Sequence, residues 1–146
     1  MVAACASSPL GRQQLKLVSQ QEVDAAGEST FRQILRQEPV SRDADVNAYV
    51  LCVAHSITDA LSGPAARIQW QVVVCDSLDP NAFALPSGKI GVNRGILRVA
   101  HTQDQLAAVM GHEVAHVLAE HANERMSAQY ATGAAVSMGA SAAGAA

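Results

Sequence analysis

His112 and His116 stand four residues apart in the run His112-Glu113-Val114-Ala115-His116. An α-helix advances about 100° per residue, so positions i and i+4 return to nearly the same face. On a helix the two imidazoles therefore point to one place and can share one metal ion, most often Zn²⁺ for such a pair. Glu113 falls one step round the helix, within reach of a water at that ion but badly placed to be a ligand. The motif reads as the working part of a zinc-dependent hydrolase, with His112 and His116 as metal donors and Glu113 as the catalytic residue. The competing reading is an ordinary surface helix carrying two histidines and a solvated glutamate.

The chemistry requires a helix, and the neighbouring residues supply its signals. Thr102-Gln103-Asp104-Gln105 fits a capping box, in which the Thr102 hydroxyl accepts from the third amide and Gln105 reaches back. Leu106, Val109, Met110, Val114, Val117 and Leu118 then recur at helical spacing and predict an apolar side buried against a sheet. The helix is expected to run from Gln103 to at least Arg125, with Thr132 as its outer limit. On a regular helix His121 lies about 180° from His112, which excludes it as a donor and leaves Glu120, His121 and Arg125 to solvate a face.

Upstream, the pattern from Leu10 to Glu38 is helical and amphipathic, interrupted near Gly27 and ended by Pro39. Val46, Val50, Val53, Ile57 and Leu61 predict a second helix from about Asp43, stopped by Ser62-Gly63-Pro64. His55 is half a turn from that stripe and faces solvent. Ile68 to Cys75 reads as a strand. Asn81–Leu85 and Lys89–Asn93 read as a strand pair joined through Pro86-Ser87-Gly88. Gly95 to Ala100 forms a short helical turn, and His101 lies in the exposed connector before the cap. The fold class is α+β: helices packed on a small, mostly antiparallel sheet with the active-site helix across it.

At 146 residues the chain is expected to form one domain. The net charge of -3, without a basic cluster, gives no footprint for nucleic acid. Met126 to Ala146 carries no charged residue, yet its Gln, Tyr, Thr, Ser and Gly make it too weakly apolar for a membrane span. It reads as a small-residue helix facing the core. Residues 1–9 read as a flexible leader. Within it Val2-Ala3-Ala4-Cys5 has the form of a bacterial lipobox, which makes Cys5 a candidate for lipidation and a lipid anchor. Only four residues precede Cys5, too few for an export signal, so that assignment requires a leader upstream. Without one, Cys5 is a free thiol in a loose terminus. Cys52 and Cys75 fall in different elements and read as small buried hydrophobes rather than a bridge.

With these residues in view, the chain resembles the HtpX-like family of gluzincin metallopeptidases, in particular its envelope-lipoprotein, LoiP-like branch. The likeness is carried by Asn81-Ala82-Phe83-Ala84-Leu85-Pro86-Ser87-Gly88-Lys89-Ile90-Gly91-Val92, by Gly95-Ile96-Leu97, and by the helix from His112 to Arg125. The resemblance implies one Zn²⁺ per chain held by His112 and His116, with Glu113 as general base and later as proton donor to the leaving amine. It implies that Asn81, Ala82, Phe83 and Ala84 bind an extended substrate by strand addition. It further implies misfolded or unfolded proteins as substrates and a place on the periplasmic side of a bacterial membrane. The family's third ligand, a glutamate from a later helix, has no counterpart here, because no acidic residue follows Glu124. The chain is therefore expected to be the N-terminal part of a longer protease (residues 10–146 a partial domain). The alternative is a non-catalytic envelope binding protein that keeps a vestigial metallopeptidase fold.

Overall fold

The computed structural model describes residues 5–7 and 11–143. Its strands and helices are β1 (Cys5–Ser7), β2 (Gln13–Leu15), α1 (Gln20–Gln37), α2 (Ala44–Thr58), β3 (Gln71–Cys75), β4 (Ala82–Leu85), β5 (Lys89–Asn93), α3 (Gln103–Leu118) and α4 (His121–Ala143). Single 3₁₀ turns at Gly63–Arg67 and Arg94–Arg98 complete the order. The α+β class holds. β1 and β2 form an antiparallel pair, while the main sheet has the order β3-β5-β4, with β4–β5 antiparallel and β3–β5 parallel. The main sheet is thus mixed, one ladder parallel and one antiparallel, where the sequence predicts a mostly antiparallel sheet.

Local chemistry explains where most elements begin. Asp43 accepts from the amides of Asp45 and Val46 and starts α2. Thr102 and Gln105 close the expected capping box at the head of α3. At the β4–β5 hairpin the Gly88 amide donates to the Leu85 carbonyl across Pro86-Ser87, and Ser87 and Gly88 both take positive φ, 72° and 83°. Proline followed by a left-handed residue is the arrangement of a type II turn.

The core lies between α2, the sheet and α3. Val50, Val53 and Ala54 of α2, Val74 of β3, Ile90 and Val92 of β5, and Leu106, Met110 and Val114 of α3 pack there. The three α3 residues, four apart, anchor that helix along one side and leave the opposite side free.

Three expectations are corrected. The segment from Leu10 is not helical at its start: Gln13–Leu15 is a strand, and α1 begins only at Gln20, capped by Ser19 and Glu22. Gly27 does not interrupt α1. It is buried inside the helix because a Cβ there would collide with the Pro86 carbonyl of the hairpin tip. The active-site helix does not continue to Arg125, since it ends at Leu118 and α4 restarts at His121.

Of the leader, Cys5–Ser7 forms β1 against β2; residues 1–4 and 8–9 and the Cys5 side chain lie outside the described residues. Cys52 is exposed and Cys75 buried, and both thiols are free. No helix among the described residues is long and apolar enough to cross a membrane.

Candidate metal centre

α3 carries His112 and His116 on the side away from its buried Leu106–Met110–Val114 row, with Glu113 on the flank between that row and the pair. His112 is exposed, while Glu113 and His116 are half-buried, so solvent reaches the pair. Their Nε2 atoms lie 3.0 Å apart, with the ring planes at 85°. Two bare nitrogen lone pairs at that distance repel unless a proton or a cation lies between them. A tetrahedral Zn²⁺ with Zn–N bonds of about 2.0–2.1 Å sets its donors roughly 3.3 Å apart. The histidine pair meets that requirement with an adjustment of a few tenths of an ångström, so the donor set fits the ion. Among the described residues no group of three His, Cys, Asp or Glu could hold a metal, so the described site offers two donors.

The bend after α3 brings in a residue that a regular helix would exclude. Glu120 adopts a φ of 56°, a left-handed conformation that non-glycine residues hold only when their surroundings fix it. The fixing comes from the segment after β1. Gln14 Nε2 donates to the Ala119 carbonyl at 2.7 Å, and Lys16 pairs with Glu120. Further along, Arg12 pairs with Glu124, the Leu17 amide donates to Ser127 Oγ, and Asn123 Nδ2 donates to the Val18 carbonyl. This strap holds the junction, and His121 consequently stands with its Nδ1 2.6 Å from His116 Nδ1. The expectation that His121 only solvates a face is thereby corrected, as is that for Glu120. His55 and His101 are exposed, as expected.

A cleft of about 960 Å³ opens beside the junction, lined by Val23 and Gly27 of α1, Ala84 and Leu85 of β4, and His116 and His121. β4 is an edge strand packed against α3, and among the described residues no strand pairs with its outer edge. The opposite edge, along β3, is closed by residues 39–41: the Ser41 amide donates to the Val74 carbonyl and the Asp76 amide to the Pro39 carbonyl. Just before β4 the Asn81 carbonyl accepts from the Asn93 amide of β5. Antiparallel alternation then turns Phe83 toward β5 as well and leaves the backbone of Ala82 and Ala84 facing outward. Of the four residues expected to bind substrate, the Ala82 side chain is buried, Phe83 lies over Gly91, and Ala84 lines the cleft.

Residues 40–146 match the model of Peptidase family M48. The chain belongs to that family. Over 119 residues, 81% of the chain, it is 35% identical to the mitochondrial metalloendopeptidase OMA1 of Bos taurus, spanning 22% of that protein. It is 33% identical over 129 residues to mitochondrial metalloendopeptidase OMA1 of Arabidopsis thaliana, covering 83% of this chain and 25% of the relative. A putative beta-barrel assembly-enhancing protease of Vibrio cholerae is 27% identical over 103 residues, 70% of this chain and 21% of that protein. The chain thus spans about a quarter or less of the length of these relatives. The matched segment covers α2 through α4, which carry the histidine pair and every cleft residue named above except Val23 and Gly27 of α1.

Proposed function

We propose that this chain is the metal-donor part of a zinc-dependent endopeptidase that hydrolyses peptide bonds in misfolded or unfolded proteins of the cell envelope. The observation that carries the reading is the convergence of His112 and His116 Nε2 from successive turns of one helix, with Glu113 alongside. Zinc bound there would polarise the scissile carbonyl and acidify water at the site. Glu113 accepts the proton of the attacking water and passes it to the leaving amine. Ala82 and Ala84 offer outward amides and carbonyls to an extended substrate, which reads main chain rather than side chains and suits unfolded segments. The cleft beside Ala84 receives the substrate's side chains.

An envelope location and a lipid anchor through Cys5 belong to the same proposal, supported by the bacterial relative and by the lipobox form of residues 2–5. Two protein donors hold zinc weakly, because a catalytic site usually has three. The 146-residue chain by itself should therefore lose zinc readily to a chelator and cleave slowly.

The second reading, a non-catalytic envelope binding protein, is favoured by the lack of a third donor among the described residues. Glu113→Gln separates the two. For an enzyme, zinc affinity is kept while cleavage of an unfolded protein falls by about 10²–10⁴-fold. Unchanged cleavage in that variant would exclude the proposed role of Glu113.

A further inference from the structure

The proposed reaction uses His112, Glu113 and His116 and leaves His121 without a task. A histidine that donates to a metal through Nε2 carries its proton on Nδ1. Metal-bound histidines almost always give that second N–H to a fixed acceptor, which sets the tautomer and the ring plane. At His116 the atom in the acceptor position is Nδ1 of His121, 2.6 Å away. The rings are 4.9 Å apart at an angle of 56°, tilted rather than stacked. At such a separation one Nδ1 must donate and the other accept. Were His121 the donor, neutral His116 would carry its proton on Nε2, where the metal lone pair is needed.

We propose that His121 is a positioning residue for His116: its Nδ1 lone pair accepts the His116 Nδ1–H and holds His116 Nε2 open toward the cation. The proposal rests on the reading of His112 and His116 as metal donors. It also gives the α3–α4 bend a purpose. An unbroken helix would carry His121 to the far side, whereas the left-handed Glu120, held by Gln14 and Lys16, swings it onto His116. The strap of residues 12–18 thereby reaches the metal centre through a single joint.

The test uses the metal-free chain labelled with ¹⁵N in histidine, together with zinc affinities from competition with a chromophoric chelator. NMR should show His116 as the Nδ1–H tautomer, with coupling through the hydrogen bond between the two Nδ1 atoms. His121→Ala should weaken zinc binding about 10–100-fold with unchanged far-UV circular dichroism. His121→Asn, whose Oδ1 takes nearly the place of the histidine Nδ1 and accepts, should recover most of it.

An Nε2–H tautomer at His116 without coupling overturns the proposal, and this observation needs no variant to fold. So does an unchanged zinc affinity in His121→Ala, or an asparagine variant no better than alanine. If His112→Ala leaves zinc binding intact, the metal-donor reading fails first. If His112→Ala abolishes it while His121→Ala does not matter, that reading stands and only the role of His121 falls.

Discussion

Gly27 and Gly111 both lie inside helices, and replacing each by alanine should move stability in opposite directions. The helix-propensity gain is common to both variants, up to about 1 kcal/mol. At Gly111 of α3 the added methyl meets nothing within 4 Å, so the gain is kept. At Gly27 of α1 it meets the carbonyl oxygen, carbonyl carbon and Cβ of Pro86. Backbone cannot rotate away as a side chain can, so α1 and the hairpin tip must separate. Overpacking of this kind costs about 1–3 kcal/mol. Because the propensity term cancels in the difference, the two variants should differ by that clash alone. For a chain of this size each kcal/mol shifts Tm by about 2–4 °C, which puts their melting temperatures roughly 2–12 °C apart. Thermal and urea unfolding of both variants measure the gap. Equal stabilisation by the two substitutions would refute the claim that the hairpin tip is seated on Gly27.

Met110, 1% exposed between α2 and the sheet, anchors the helix that carries the histidines, and Met110→Ala should lower unfolding stability by about 2–5 kcal/mol in urea titration. Cys52 is exposed, while burial, with Glu38 adding to it, pushes the Cys75 thiol up. A thiol reagent should therefore modify Cys52 in the native chain and Cys75 only after denaturation, as mass spectrometry of the labelled peptides would show. The Glu28 carboxyl is held below the usual carboxylate range chiefly by Lys89, 3.1 Å away, with Ser87 assisting. Its folded pKa is depressed, so its contribution is present at neutral pH and lost as pH falls through the lowered value. Glu28→Gln should accordingly lose less stability than the parent between neutral and acid pH in parallel denaturation curves.

What could be read from the sequence is what local chemistry decides. The Asp43 cap, the Thr102–Gln105 box and the Pro86-Ser87-Gly88 turn each fix an element through contacts a few residues long. The pairing of His112 with His116 needs only the geometry of one helix turn. The start of α1 was equally accessible, since Ser19 and Glu22 form a capping box of the same kind, and that signal outranks the apolar spacing that extends a helix back to Leu10. β2 was not, because its hold on α4 joins residues more than a hundred positions apart. Gly27 carries the composition of a helix break but serves a close approach between α1 and a hairpin tip far along the chain. The bend at Glu120 leaves no trace in its own residue type, for neither glycine nor asparagine stands there. It is imposed by Gln14 and Lys16, more than a hundred residues away in the chain. His121 therefore joins the site through tertiary structure alone.

The central claim is that two imidazoles from adjacent turns of α3 grip one zinc ion. X-ray absorption spectroscopy of the zinc-loaded chain counts those rings directly. It should show two imidazole nitrogens at about 2.0–2.1 Å, a signal that His112→Ala diminishes or abolishes. A spectrum without imidazole scattering, or one that the substitution leaves unaltered, would contradict the account.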